Sequence, residues 1–257
     1  MLPRTPGFSL NGKAALITGG GRGLGLASAA ALAQAGAHVT LVARSADELK
    51  HACALIAEDG GQSRYIVLDI TWARDVEREI ESAQERHGPF DILVNCAGTN
   101  RPKPLVDTQD DDIDAILDLN VKAVFHVSRV VAKGMLRAAR SGSIINVSSQ
   151  MGHVGSPGRT VYCASKHAIE GMTKALAWEL GPHGIRVNTV CPTFIETAFT
   201  APMFAAPGFR DWVTQRIALG RVGRVEEVMG AIVFLAGDAS TLMTGSALML
   251  DGGWTAV

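Results

Sequence analysis

Residues 14–43 read A-A-L-I-T-G-G-G-R-G-L-G-L-A-S-A-A-A-L-A-Q-A-G-A-H-V-T-L-V-A. A short apolar run from Ala14 to Thr18 meets a glycine cluster from Gly19 to Gly25, then alanine-rich residues 26–35, a stop at Gly36 and a β-branched run from His38 to Ala43. The order predicts strand, tight turn, helix and strand, a βαβ unit of about 30 residues. A turn placed there aims bare N–H groups and the positive end of a helix dipole at a bound anion, and a pyrophosphate suits it. Glycine lets the turn take unusual φ/ψ values and lets the anion approach the backbone. No register of the cluster meets the G-x-G-x-x-G spacing.

Outward from this unit the alternation repeats. Residues 47–58, 71–87, 110–138, 161–180 and 225–235 read as helices, and residues 63–68, 92–95, 142–147, 186–190 and 247–250 as strands. The pattern predicts an α/β fold, a Rossmann-type doubly wound parallel sheet of seven strands with helices on both faces, and a single domain over residues 1–257. Residues 192–221 break the pattern with Pro202, Pro207, Gly208 and five aromatic side chains. An irregular insertion of that length reads as a substrate lid.

Composition narrows the partners. With 24 basic against 25 acidic residues and no long run of either sign, no general field draws nucleic acid or an anionic membrane. Residues 1–11 lack the pattern of a secretory signal, and no apolar run reaches the ~20 residues that span a bilayer, so a cytoplasmic protein is expected. Cys53, Cys96, Cys163 and Cys191 form no C-x-x-C pair; reduced thiols and no metal are expected.

The end of the second strand meets the adenosine ribose in a dinucleotide site, and an acidic residue there selects NAD. Here it reads Ala43-Arg44-Ser45. Arg44 and Arg22 are expected to hold a 2′-phosphate from two sides, which favours NADP, with NAD as second choice and Asp47 as the residue that would spoil the preference. Asp69, followed by Ile70, is placed to accept from the adenine amino group, or Asp69 or Thr71 caps the following helix.

Tyr162 and Lys166 stand at i and i+4, so they share a helix face. A phenol with a reference pKa of about 10 is a poor proton carrier at neutral pH. Two cations beside it, the Lys166 ammonium and an oxidised nicotinamide, would bring it towards the working range. Ser148 and Ser149 end the strand 144–147, where a hydroxyl can hold a substrate oxygen.

Together these residues resemble the short-chain dehydrogenase/reductase family from about residue 10 to residue 254. Thr18 to Gly25 matches its T-G-x-x-x-G-x-G, Asn95-Cys96-Ala97-Gly98 its N-N-A-G, Asn120 its structural and catalytic asparagine, and Ser149 with Tyr162-Cys163-Ala164-Ser165-Lys166 its serine and Y-x-x-x-K. The resemblance implies an enzyme exchanging hydride between nicotinamide and a secondary alcohol or ketone. Tyr162 would then be the general acid/base, Lys166 its activator and ribose ligand, Ser149 the holder of the substrate oxygen, and Asn120 the anchor of a proton-relaying water. Thr18, Gly19, Gly21, Arg22, Gly23, Leu24, Arg44, Asp69, Ile70, Asn95, Ala97, Gly98, Tyr162, Lys166, Pro192, Ile195 and Thr197 would line the coenzyme. Two departures stand out. Cys96 replaces an asparagine, which removes a bracing hydrogen bond, and Thr193 replaces a glycine, a β-branched residue where φ > 0 would be unfavourable.

Arg101 and Lys103 are cations near the expected mouth. With the N-R-x-x-P stretch and residues 209–230, they resemble sugar-acid and polyol dehydrogenases of the gluconate 5-dehydrogenase kind. Gln150, His153 and Phe194 are further candidates for substrate contact. The aromatic lid points instead to 3-oxoacyl-carrier-protein or hydrophobic ketone reduction, and a non-catalytic dinucleotide sensor is the reading from another class. The resemblance also implies a homotetramer built on the helices 110–138 and 161–180 and the last strand.

Overall fold

The quoted stretch folds as read. In a computed structural model that describes residues 2–256, Ala14–Thr18 forms β1, Gly23–Gln34 forms α1 and His38–Ala43 forms β2, parallel to β1 with Thr18 beside Val42. Met1 and Val257, the ends of the expected 1–257 unit, lie outside the described residues. Helix α1 starts at Gly23 rather than at residue 26 because its first turn packs straight onto the glycine turn: a Cβ on Gly25 would overlap the Gly19 carbonyl oxygen.

The chain continues through α2 (Ala46–Glu58), β3 (Gln62–Val67), α3 (Ala73–His87), β4 (Ile92–Asn95), α4 (Asp110–Leu117) and α5 (Ala123–Arg137). Then follow β5 (Gly142–Val147), α6 (Thr160–Leu180), β6 (Ile185–Pro192), α7 (Ala201–Phe204), α8 (Phe209–Thr214), α9 (Glu226–Ala236) and β7 (Ala247–Leu250). All seven strands are parallel, in the order β3-β2-β1-β4-β5-β6-β7. After β3 the chain returns across the sheet to β4 on the other side of β1, and the strand ends on either side of that reversal are where such folds place ligands.

Each face of the sheet carries an apolar layer. Leu32 of α1, Leu49 and Ile56 of α2, and Ile232 and Leu235 of α9 bury against one side. Val76 and Ile80 of α3, with Val127, Val131 and Met135 of α5, bury against the other. Burial on both faces is why the central strands read as continuous apolar runs rather than alternating ones. No described helix is long and apolar enough to cross a membrane.

Two elements differ from the pattern of the sequence. The helix expected over 110–138 is split by a π-turn, Asp118–Lys122, in which the Ala123 N–H reaches the Asp118 carbonyl. Its cause is Asn120, which is turned inward and fully buried, where periodicity alone predicts continuous helix. Residues 192–221 are less irregular than expected, since α7 and α8 form there. Most of the aromatic residues that spoil the pattern pack on one another: Phe194 meets Phe204, Phe209 and Trp254 at tilted or edge-on angles, and Trp212 bridges Phe209 and Trp254.

Candidate functional site

A cleft of about 730 Å³ runs along the C-terminal strand ends, from Arg44 and Asp69 at one end to Ser149, Tyr162 and Phe194 at the other. The glycine turn forms its floor. Gly19 takes φ +68°, and a Cβ there would lie 3.0 Å from the Ala97 backbone, so the turn and the end of β4 close together only around a glycine. The start of α1 has no side-chain cap and no acidic residue in its first turn. Its N–H groups and dipole therefore face the cleft unopposed, which fits the diphosphate of a dinucleotide.

Of the coenzyme residues read from sequence, Gly19, Gly21, Arg22, Gly23, Leu24, Arg44, Asp69, Ile70, Ala97, Gly98, Pro192, Ile195 and Thr197 line this cleft with Tyr162 and Lys166. Thr18 and Asn95 do not, and act one layer below. Thr18 Oγ1 accepts from the Cys96 and Ala97 N–H groups, and Asn95 donates to Ser128 and to Asn146 of β5. These bonds tie β1, β4 and β5 together despite the Cys96 replacement. Thr193 likewise takes no positive φ, Ala139 being the one described non-glycine residue that does.

At the adenosine end the arginine pair is not a free clamp. Arg22 Nη1 lies 3.2 Å from Glu48 Oε1, and Arg44 Nη1 lies 4.0 Å from Asp69 Oδ2. Both arginines remain more than two-thirds exposed, so water screens these pairs and they can open for a phosphate. Glu48, not Asp47, is the carboxylate on the cleft wall, because the first turn of α2 points position 48 inward. One oxygen of Asp69 is spent on the Thr71 N–H and hydroxyl, which closes the loop before α3 rather than capping that helix.

At the other end Ser149 and Lys166 are buried and Tyr162 is half-buried. Ser149 Oγ donates to Gln150 Oε1 at 2.7 Å and accepts from the Met151 N–H at 3.1 Å, with the Tyr162 phenol close by. Gln150 thus faces Ser149 first and any substrate second. Burial pushes the Tyr162 phenol up to about 12, opposed by Ser149 and by the Arg159 charge. Burial also pulls Lys166 down to about 8; its Nζ donates to the Val147 carbonyl at 2.8 Å. In the protein alone burial outweighs the lowering influences on the phenol, and the cation that opposes it is Arg159.

Asn120 lies behind the cleft wall. Its Oδ1 accepts from the Thr99 N–H at 2.8 Å, and its Nδ2 donates to the Thr99 carbonyl and to Ser165 Oγ. Its side-chain amide joins the loop after β4 to α6.

The substrate candidates divide. Phe194 and Arg101 reach the cleft, but His153 does not: it packs on Glu170 and Cys191, one helical turn past Lys166 on the same face of α6. Arg101 and Lys103 both bind the Asp112 carboxylate, which they and the Gln109 N–H hold down at about 2. Two cations read as free are thus a clamp between a loop and the start of α4.

The cation sequence reading missed is Arg159. It lines the cleft one helical turn before Tyr162, it is 7% exposed, and its described polar partners are Ser156 Oγ and Met203 Sδ. Its guanidinium sits 5.4 Å from the ring centroids of both Phe194 and Phe209. A signal existed: a cation at the start of a helix opposes the dipole, so its presence calls for a local reason.

The comparisons agree with this geometry. The family model described as enoyl-(acyl carrier protein) reductase matches residues 19–255. Gluconate 5-dehydrogenase of Gluconobacter oxydans is 39% identical over 248 residues, 96% of each chain. The 3-oxoacyl-(acyl-carrier-protein) reductase of Thermotoga maritima is 40% identical, covering 95% of this chain and 98% of its own. The crystal structure of a gluconate 5-dehydrogenase from Burkholderia cenocepacia with NADP and tartrate superposes with a TM-score of 0.94 at 35% identity, covering 97% of this chain and 98% of that one. Turn, strand-end serine, tyrosine and lysine thus meet in one cleft of a fold shared along nearly the whole chain, which belongs to the short-chain dehydrogenase/reductase family.

Proposed function

We propose that the protein is an NADP(H)-dependent oxidoreductase that interconverts a secondary alcohol and a ketone on a sugar acid or related polyol. The carrying observation is that Ser149, Tyr162 and Lys166 line the same cleft as the glycine turn. A bound nicotinamide supplies hydride exchange with the carbinol carbon and, when oxidised, a positive charge beside the phenol. Gly19 to Leu24 and the start of α1 hold the diphosphate, Arg22 and Arg44 the 2′-phosphate, and Lys166 the nicotinamide ribose.

Tyr162 Oη takes the hydroxyl proton in oxidation and returns it to the carbonyl oxygen in reduction. Ser149 donates to the substrate oxygen by turning its single hydroxyl proton away from Gln150 Oε1. Asn120 positions the Thr99 loop against α6, and the π-turn it forces lies beside Lys166 on the path by which a proton leaves. Residues 192–221 serve as the lid within a single domain. The protein is cytoplasmic and a homotetramer; Phe125 and Leu136 of α5 and Trp178 of α6 are exposed apolar residues on the helices expected at the interface, and a monomer mass in light scattering would count against it.

Arg159 supports an anionic substrate, because a buried guanidinium facing the cleft without a carboxylate is a ready receptor for one. The bond from a guanidinium to a carboxylate is worth about 2 kcal/mol, so Arg159→Ala should raise KM for sugar acids about 30-fold and leave neutral polyols little changed. Steady-state assays of aldonic acids, matched polyols and 3-oxoacyl thioesters with both coenzymes decide it. Preference for thioesters would favour the second reading, which the aromatic lid supports; coenzyme binding without turnover on any substrate would favour a sensor.

A further inference from the structure

Between α6 and β6, one helical turn past Lys166, lies a cluster that the mechanism above does not use. His153 follows the short helical turn Gln150–Gly152 after β5, Glu170 stands one turn beyond Lys166 on α6, and Cys191 precedes the last residue of β6. Their ligand atoms lie within 4.8 Å of one another. His153 Nε2 is 3.4 Å from Glu170 Oε1, Cys191 Sγ is 3.5 Å from His153 Nε2, and Cys191 Sγ is 3.3 Å from Glu170 Oε1.

These separations are close to the edges of a tetrahedron of metal ligands. Bonds of about 2.0–2.1 Å to nitrogen and oxygen and about 2.3 Å to sulfur, opened to a tetrahedral angle, separate the ligand atoms by about 3.3 Å for N and O, about 3.6 Å for N and S and about 3.5 Å for O and S. We infer that His153, Glu170 and Cys191 form a binding site for a tetrahedral divalent cation of the zinc class.

Three further observations point the same way. Thr189 Oγ1 donates to Glu170 Oε2 at 3.0 Å, which orients the carboxylate while leaving Oε1 for the ion. Ser148 Oγ is buried without a hydrogen-bond partner and borders the cluster across Gly152: a Cβ on Gly152 would lie 2.9 Å from Ser148 Oγ and 3.2 Å from Glu170 Cγ. Glu170 and Cys191 are buried, but the His153 side chain is 31% exposed, which leaves an entry path and room for a water as fourth ligand.

The chemistry of the set selects the ion. Thiolate and imidazole favour zinc over magnesium or calcium, and one thiolate with one carboxylate neutralises a divalent charge, so the loaded site can stay in a buried place. Loading displaces the Cys191 thiol proton to solvent, and no electrons move. The ion would pin the loop carrying Ser149 and Gln150, the helix carrying Tyr162 and Lys166, and the end of β6 next to Pro192. Its place in the fold is a clasp under the catalytic floor, separate from the reacting atoms.

The test uses untagged full-length protein, stripped with chelator and titrated with Co²⁺ and then Zn²⁺. The expected result is one Co²⁺ per chain with a thiolate-to-cobalt charge-transfer band that Zn²⁺ abolishes. C191S should lose the band, H153Q should weaken binding at least tenfold, and C53S, on α2, should keep both. Because H153Q changes a partly exposed side chain, it decides the matter even if C191S fails to fold. No charge-transfer band in the native protein, a band that survives C191S, or an affinity unmoved by H153Q would each overturn the site and leave a hydrogen-bonded carboxylate cluster in its place.

Discussion

The two ends of the cleft handle charge in opposite ways. At the adenosine end Arg22 and Arg44 are mostly exposed and lean on Glu48 and Asp69 across 3.2 and 4.0 Å. At the nicotinamide end Lys166 and Arg159 are enclosed and Tyr162 is half-buried, and burial shifts all three. The lesson is that the same residue types do different work according to solvent. Exposed arginines, screened by water, can tune which coenzyme binds by modest amounts. Enclosed groups carry large penalties for the wrong protonation state, so a hydroxyl or a charge arriving there changes the reaction itself.

That contrast is open to test at three depths. The largest effect belongs to the enclosed end: Tyr162→Phe should lower kcat about a thousandfold while leaving coenzyme affinity, read by fluorescence titration, nearly unchanged. Retained turnover would remove the phenol from the proton path. At the exposed end Arg44→Asp should shift the NADPH-to-NADH affinity ratio about tenfold towards NADH, the scale of one screened phosphate contact. An unmoved ratio would leave the 2′-phosphate to other residues.

The smallest effect concerns the clamp at the mouth. Asp112 is held at about 2 by Lys103, the Gln109 N–H and Arg101, below the usual carboxylate range. A lowered carboxylate contributes stability above its unfolded value near 4, and that contribution is lost as pH falls from there towards about 2. Thermal melts from pH 6 to pH 3 should therefore show a slightly steeper acid loss in the native protein than in Asp112→Asn. Parallel curves would mean that the clamp adds nothing to stability.

Much of the site was legible along the chain because its parts sit on successive strand ends. The glycine turn, Ser149, Tyr162 and Lys166 each carry a local signature, and parallel alternation brings all strand ends to one edge. Thr18 and Asn95 were read as coenzyme contacts because motif membership does not distinguish a residue that touches a ligand from one that braces the residue touching it. Arg101 and Lys103 were read as free because their partner, Asp112, lies in a segment whose acidic run looks like an ordinary helix start. His153 lies a helical turn too far along α6, against Glu170 rather than in the cleft, which its place after a tight turn does not reveal.

By itself the sequence determined the α/β alternation, the seven strands, the phosphate turn and the order of catalytic groups, since hydrophobic period, glycine placement and i, i+4 spacing are local properties. Only the tertiary structure decided which cations are free, which carboxylate faces the coenzyme wall, and that His153, Glu170 and Cys191 meet. Those outcomes depend on distances between elements far apart in sequence and on how much water the packing leaves around each charge. Neither quantity is written in the spacing of residues along the chain.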